Sequence, residues 1–488
     1  MFNESSNPSI SYLEPGLGNG MPVTVIGNEE IRKTFCETTI QQAINCAKGP
    51  GVDRVVLNPD AHLGYGAPVG SVLVSERMVY PGPVGVDVKC SMSLLQTNVD
   101  ELCIHDPVKR RAIMDEIALR IPNGAGYAKP KLSPKISDYL GARILTEGAT
   151  AAICDTLGIP CEWRMNCEDA SHGDETTLFN RFHDYDFHNF SRKINQLGSL
   201  GGGNHFLEGE ITEFCVPEEG REDEQLRAIN RFGLKEGCLS FLTHCGSRGI
   251  GHQLATNQFK TLQGKFIQWD IPFPGDDREL VYVPRDSVEG QNYLADMNMA
   301  ANFATVNHLL INKLIADAVR AVLPMAECNL VYYISHNMIR EEVIEGRPKL
   351  VHRKGATRAY PAGHFSLTGT KYSDTGHPIL LPGNPVDGSY VMVAEEGAKT
   401  SCYSINHGAG RRLGRRQAKR VLVQEEVDQY MKDNDVLHNG RQYPIDESPD
   451  VYKNFEDVIA SVEEANLARR VAKLRAVFVV KDGGKADD

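Results

Sequence analysis

Apolar positions fall into short runs separated by glycine-rich turns, with a few longer stretches at helical spacing between them. The run Arg54–Leu57 predicts a strand leading into a turn, Pro59-Asp-Ala-His-Leu-Gly-Tyr-Gly-Ala-Pro68. Residues 107–195 carry apolar residues at helical spacing, broken by a polar stretch from Glu162 to Asp186. That stretch predicts a surface insertion over residues 160–190. Glu218–Arg231 is a charged excursion leading into a helix. Gln291–Val322 keeps a helical period long enough for one extended helix, stopped before Pro324. Asn329–Ile334 predicts the strand that delivers His336. Near the end, Val458–Val471 reads as helix and Ala476–Val480 as a final strand.

The chemically suggestive residues sit at strand ends and glycine-rich turns from Asp60 to His407. Sites spread this widely converge only within one compact unit. The expectation is a single α+β domain over residues 1–488, with a large mixed, sandwich-like β core, peripheral helices and a disordered tail at 483–488.

Composition narrows the function classes. At 488 residues the chain can bury a large core. No apolar run approaches a membrane span and Met1 to Ile10 lacks the regions of a signal peptide, so a cytoplasmic protein with no membrane contact is expected. The 12 cysteines are scattered without a Cys-x-x-Cys pair, which suggests buried thiols rather than disulfides or a zinc knuckle. Cys161, Cys167 and His172 have the wrong spacing for a metal clip and read as structural. A formal net charge of −12 argues against coating nucleic acid by net attraction, while leaving room for local basic patches. Two stretches qualify: Arg411, Arg412, Arg415, Arg416, Lys419 and Arg420, which can share a helix face, and His352–Arg358. Each alone reads as a solvated charged surface.

The most specific string is Ser404-Ile-Asn-His-Gly-Ala-Gly-Arg-Arg412. Small residues leave His407 uncrowded, and Gly408 and Gly410 can take backbone angles that aim N–H groups at an anion. Arg411 and Arg412 add donors suited to phosphate. A histidine in such a cradle is a candidate nucleophile for phosphoryl or nucleotidyl transfer, against the plainer reading of a loop histidine beside a helix start.

Further ligand types lie in tight, small-residue settings: Asp87 and Cys90, Asn204 and His205, His244, His336, and Asp60 with His62. One carboxylate, one thiolate and three imidazoles suit a borderline divalent ion such as Mn²⁺, Zn²⁺ or Co²⁺. A thiolate can bridge two ions, an arrangement that serves in-line phosphoryl chemistry. Taken singly, each residue reads as an ordinary core or surface side chain; the combination carries the argument. Gly198–Gly203 has the wrong glycine spacing for a dinucleotide fingerprint.

With these strings assembled, the chain resembles the RtcB family of RNA-splicing and repair ligases from about residue 20 to about residue 482. The strings occur in order: Pro-Asp-x-His-x-Gly-Tyr-Gly at 59–66, Asp-x-x-Cys at 87–90 and Gly-Gly-Gly-Asn-His-Phe-Leu-Glu at 201–208. His-x-Gly-Ser-Arg-Gly at 244–249, His-Asn at 336–337 and Arg-Lys-Gly-Ala-Thr-Arg at 353–358 follow, then Pro-Gly-Asn at 382–384 and His-Gly-Ala-Gly-Arg at 407–411.

The resemblance implies a GTP- and Mn²⁺-dependent ligase that seals an RNA 3′-phosphate or 2′,3′-cyclic phosphate to a 5′-hydroxyl, in tRNA splicing or RNA repair. It implies that His407 carries GMP, with Asn204 on phosphate and Asp60 near the nucleophile. It implies two Mn²⁺ ions, one on Asp87, Cys90 and His205, the other on Cys90, His244 and His336. Nucleotide contacts fall on Asn204, Glu208, His336, Asn337, Pro382, Gly383, Asn384, Ser389, His407, Gly408, Ala409, Gly410, Arg411, Tyr452 and Lys481. Partners would be RNA ends and an activating protein, and a monomer is expected. The chain departs from the family at Ser91, Cys245, Asn384–Ser389 and Arg412–Arg415; none of these is an expected metal ligand or the nucleophile, but Asn384 and Ser389 are among the expected nucleotide contacts.

Two rivals remain on the residues alone. A dinuclear phosphoesterase opening cyclic phosphates would use the metals but leave His407 idle, and a non-catalytic RNA-end binder would leave the whole ligand set unused.

Overall fold

The computed structural model describes residues 2–13, 21–126 and 129–482; the tail expected to be disordered lies outside them. Two mixed sheets form the centre. The first runs in the order Phe2–Glu4, Ile10–Leu13, Val23–Ile26, Val52–His62, Val69–Ser75, Arg347–Lys354, Asn337–Ile344. Only Val23–Ile26 and Val52–His62 pair in parallel. The second runs Cys328–Ser335, Ser91–Asp100, Cys238–Cys245, Phe206–Phe214, Ala468–Val480, Gly388–Ala394, Pro378–Asn384, with Leu437–His438 parallel to Ala468–Val480. One face of each sheet shares a core: Val55, Leu57, Val72 and Val74 pack with Ile379, Leu381, Tyr390 and Met392. The fold is α+β, as expected.

Helix Val288–Val322 begins three residues before the predicted start, because Ser287 caps it: the Gly290 N–H donates to Ser287 Oγ at 3.1 Å. It is buried along most of its length against Leu95, Leu207, Phe241 and Phe478 of the second sheet. Its buried polar side chains serve the loops above them. Asn307 Oδ1 accepts from the Gly198 N–H at 2.7 Å, and Asn302 Oδ1 from the His172 N–H at 2.8 Å.

Four expectations need correction. The helix at Val458–Val471 covers only Phe455–Glu464; Asn466 turns left-handed (φ 54°), and Ala468 opens the strand that runs to Val480. Apolar residues at 458, 459, 462, 467 and 471 fit a helix on either side of that break. The turn at Pro59–His62 is instead the irregular end of strand Val52–His62. The stretch Glu162–Asp186 is not a surface insertion throughout, since Trp163, Glu168, His172 and Leu178 are buried. Glu168 accepts from Ser335 N–H and Oγ and pairs with Arg358 at 2.9 Å. Burial alone would raise the Glu168 pKa, yet Arg358, Lys89 and Arg340 bring it down to about 2. Finally, His352–Arg358 is no solvated patch. His352, Arg353 and Lys354 are buried in strand Arg347–Lys354, and Arg353 forms a two-pronged pair with Glu342.

Candidate active site

Four neighbouring strands of the second sheet end at one edge, and each brings a donor there. Cys90 precedes Ser91–Asp100, His205 precedes Phe206–Phe214, His244 lies near the end of Cys238–Cys245, and His336 follows Cys328–Ser335. The ladder sets Ser335 opposite Ser91, Met92 opposite His244 and Phe206 opposite His244, so the donors are neighbours across the sheet. Cys90 Sγ lies 3.1 Å from His244 Nε2 and 3.5 Å from His205 Nε2. His205 Nε2 lies 2.9 Å from Asp87 Oδ2, and His244 Nε2 lies 3.4 Å from His336 Nε2.

The turn that delivers Asp87 and Cys90 depends on Lys89, which adopts φ 52° and donates its N–H to Asn337 O at 2.7 Å. Ser91, a departure from the family string, props this turn by donating its hydroxyl to Lys89 O at 2.6 Å. Cys245, another departure, points away from the donors: its thiol bonds to Leu200 O and accepts from Asn307 Nδ2.

Two donor groups therefore form, Asp87–Cys90–His205 and Cys90–His244–His336, each with its ligand atoms within 4.8 Å of one another. Burial and the Asp87 charge push the Cys90 thiol well above its ordinary pKa. Burial holds His244 and His336 far below theirs, so both imidazoles are neutral, the form that ligates. Asp87 is held well below the usual carboxylate range despite burial, by its hydrogen bond to His205. The donor set fits two divalent cations sharing one thiolate: four buried soft or borderline donors and one carboxylate, with no lysine or arginine ion-paired to Asp87 among the described residues.

His407 stands beside this cluster, its ring centroid 4.6 Å from that of His336 and 6.4 Å from that of His244. Its Nδ1 lies 2.7 Å from Asp60 Oδ2, which also accepts the His407 backbone N–H at 3.2 Å. Asp60 is fully buried at the end of strand Val52–His62 in the first sheet, while His407 follows Ser404–Asn406, which pairs with Ala356–Arg358 in a separate two-stranded ladder. Backbone packs tightly around Asp60. A Cβ on Gly410 would run into the Asp60 backbone, and one on Gly70 would press on Asp60 Oδ1.

Beneath the dyad lies Lys453, a residue sequence reasoning did not single out. Its Nζ donates to Pro59 O (2.9 Å) and Ala61 O (2.8 Å), the carbonyls flanking Asp60, and its N–H donates to Gly410 O. Burial brings its pKa down to about 7. His62 lines the same cavity with Nδ1 2.9 Å from Asp60 O, and burial brings its pKa down to about 4.

A cavity of about 760 Å³ opens over His407 and every donor except His205. Asp87, Cys90, Asn204, His244, His336, Asn337, Pro382, Gly383, Gly408, Ala409, Gly410, Arg411 and Tyr452 reach its wall. Glu208, Asn384, Ser389 and Lys481, also expected at the nucleotide, are buried and do not line it. Ser389 Oγ donates to Glu210 Oε1 at 2.9 Å, and Asn384 closes a local turn with Val386 and Asp387. Lys481 pairs with Glu447 at 3.0 Å. Burial raises Glu208 to about 7 and Glu210 well above its ordinary value. Glu447 is a second residue missed from the sequence: buried, it accepts from Tyr452 Oη and pairs with Arg411, and Arg415 reaches it at 3.5 Å. The basic run 411–420 is thus split. Arg411 turns inward from a loop, and only Arg415–Val421 is helical.

Fold and site together define an α+β protein built around an Asp–His pair beside a donor cluster centred on Cys90. A family model for tRNA-splicing ligase RtcB matches residues 42–482. The tRNA-splicing ligase RtcB of Thermococcus kodakarensis is 33% identical over 473 residues, 92% of each chain. That of Nanoarchaeum equitans is 34% identical, covering 94% of this chain and 95% of its own. The RNA-splicing ligase RtcB of Mycobacterium tuberculosis is 34% identical over 90% of this chain and all of its own. The chain belongs to the RtcB family. Among the described residues, no helix is long and apolar enough to cross a membrane.

Proposed function

We propose that this protein is a GTP- and Mn²⁺-dependent RNA ligase that joins 3′-phosphate or 2′,3′-cyclic phosphate ends to 5′-hydroxyl ends through a guanylylated His407. The observation that carries the reading is the 2.7 Å contact between His407 Nδ1 and Asp60. Asp60 keeps the ring proton on Nδ1 and leaves the Nε2 lone pair free, as a nucleophilic histidine requires. The names of the relatives, RNA-splicing and tRNA-splicing ligases, support RNA as the substrate.

His407 Nε2 attacks the α-phosphorus of GTP, forming a P–N bond as pyrophosphate departs. Asp60 steadies the positive charge that builds on the ring. A 2′,3′-cyclic end is first opened by water attacking its phosphorus, the 2′-oxygen leaving and taking the proton. An oxygen of the 3′-phosphate next attacks the α-phosphorus, the P–N bond breaks, and the electron pair returns to Nε2. The 3′-end now carries a pyrophosphate-type link to GMP, a good leaving group. Attack of the 5′-hydroxyl oxygen on the 3′-phosphorus forms the phosphodiester, releases GMP and gives up the hydroxyl proton. Asn204 and Arg411, both on the cavity wall, supply donors to phosphate oxygens. Asp87, Cys90 and His205 would hold one ion, and Cys90, His244 and His336 the other. Bound there, the ions neutralise charge on the reacting phosphates.

The test is incubation with Mn²⁺ and α-labelled GTP, with ATP in parallel. Label should survive denaturation with GTP and be absent in His407→Ala. An adduct that persists in that variant, or no adduct in metal-loaded protein, overturns the reading.

A further inference from the structure

Asp60 owes its aim to a break in its own strand. Leu57 pairs with Ser71 and the next pairing is His62 with Val69, so Asn58 to Ala61 bulge out opposite Gly70 alone. The bulge turns the Asp60 carboxylate onto His407 and leaves the neighbouring carbonyls outside the ladder. Side chains hold them instead: His62 Nδ1 lies 2.9 Å from Asp60 O, and Lys453 Nζ donates to both Pro59 O and Ala61 O. We propose that Lys453 is a positioning residue for nucleotidyl transfer: it locks the Asp60 bulge against the 408–410 loop and so keeps Asp60 on Nδ1 of His407 while Nε2 attacks. The inference rests on the ligase reading above.

Three observations carry it. First, Lys453 joins the two halves of the dyad. Backbone 410–413 runs beside 451–453: the Lys453 N–H donates to Gly410 O at 3.0 Å, and the Arg412 and Leu413 N–H groups donate to Val451 O at 2.7 and 3.1 Å. From there the Lys453 side chain descends onto 59–61. One residue thus grips the loop that follows His407 and the carbonyls on either side of Asp60.

Second, the amine is walled off from substrate. Lys453 is 3% exposed, it does not line the His407 cavity, and its Nζ sits 4.3 Å from the centroid of the Phe35 ring. It touches no reacting atom, so its effect passes through Asp60. Two carbonyls take two N–H groups, which an amine supplies with or without its third proton. The grip therefore holds in either charge state.

Third, the tolerance is small. His407 Nδ1 lies 2.7 Å from Asp60 Oδ2, and Gly410 packs so closely that a Cβ there would lie 2.3 Å from Asp60 O. Displacing Asp60 by about 1 Å takes Nδ1 out of hydrogen-bond range. A misplacement of that size costs about 100-fold in rate where reacting groups are pre-aligned.

The test is a double-mutant cycle on single-turnover GMP attachment with Mn²⁺ and α-labelled GTP, circular dichroism serving as fold control. Lys453→Met should lower the rate at saturating GTP by about 100-fold, with KM for GTP within about threefold and metal content unchanged. Because the effect passes through Asp60, adding Lys453→Met to Asp60→Asn should cost less than about threefold more. Lys453→Gln enters the same cycle if Lys453→Met does not fold. A rate within about threefold of wild type in the folded variant overturns the proposal. So does a full additive loss in the Asp60→Asn background, which marks a merely structural role. Histidine tautomers read the same clamp without activity. In full-length protein carrying ¹⁵N-histidine and diamagnetic Zn²⁺, with His407 assigned through His407→Ala, wild type should show Nδ1–H alone and Lys453→Met a mixture with Nε2–H. An unchanged tautomer overturns the proposal. If wild-type protein takes no GMP, the ligase reading fails, while the tautomer measurement still decides whether Lys453 holds the dyad.

Discussion

Asp60→Asn is the sharpest test of the dyad. The amide matches the carboxylate in shape, so the contact at Nδ1 survives sterically, but an NH₂ group can now face that nitrogen. Asp60 Oδ2 accepts both from the His407 backbone N–H at 3.2 Å and from Nδ1–H at 2.7 Å, in a site without exposure. If the residue only steadied charge, losing one buried charge-assisted hydrogen bond would cost about 1.5–3 kcal/mol, roughly 10- to 150-fold in rate. If it sets the tautomer, the amide favours the proton on Nε2 and removes the attacking lone pair. The loss then approaches the roughly 10⁴-fold known for the equivalent change in serine proteases, about 5.4 kcal/mol. The assay is the single-turnover rate of GMP attachment at saturating GTP, with circular dichroism as a fold control. A loss beyond about 10³-fold in folded protein supports tautomer control. A rate within threefold of wild type would refute any role for Asp60 in preparing His407.

Cys90→Ala should abolish binding of both divalent ions, because its Sγ belongs to both donor groups; two ions per chain by elemental analysis of the variant would exclude the bridge. Glu168→Ala leaves the Arg358 guanidinium buried with weaker partners and should destabilise the fold by about 3 kcal/mol in urea melts; a change under 1 kcal/mol would show the pair to be dispensable. Lys453 titrates near 7 in the fold and near 10.5 unfolded, so across that window the unfolded chain binds the extra proton. Its contribution therefore makes stability rise with pH by up to about 1.4 kcal/mol per unit between roughly 7 and 10. Lys453→Met should remove that rise, as read from melts at pH 7.5 and 9.5; an unchanged slope would contradict a lowered Lys453 pKa in the fold.

Legibility in the sequence followed the range of the interaction. The five donors and His407 were readable because each lies in a short string that matches the family and whose chemistry survives out of context. The resemblance set Asp60 near His407, but which group holds the second ring nitrogen was not legible; a bond across 347 residues leaves no local trace. Lys453 and Glu447 escaped for another reason: a buried cation on backbone carbonyls and a carboxylate gripped by Arg411 and Lys481 look like surface charges in one dimension. The same blindness misread His352–Arg358 and Glu168, whose charges are paired inside the protein. The end of helix Phe455–Glu464 was lost because one left-handed asparagine, not a change of period, terminates it.

The four strand-borne donors sit next to one another because of ladder register, although Cys90 is 115 residues from His205 and 154 from His244 along the chain. Their spacing is thus measured across the sheet and not along the polypeptide, which is why no short repeat of cysteines and histidines announces the centre. Apart from the turns that hold Asp87, Cys90, His205 and His336, the connecting segments carry no part of that measurement. They can lengthen, shorten or be cut and rejoined in evolution or in the laboratory without disturbing the cluster. A single-residue slip in one ladder would turn a donor to the other face of the sheet and dissolve it.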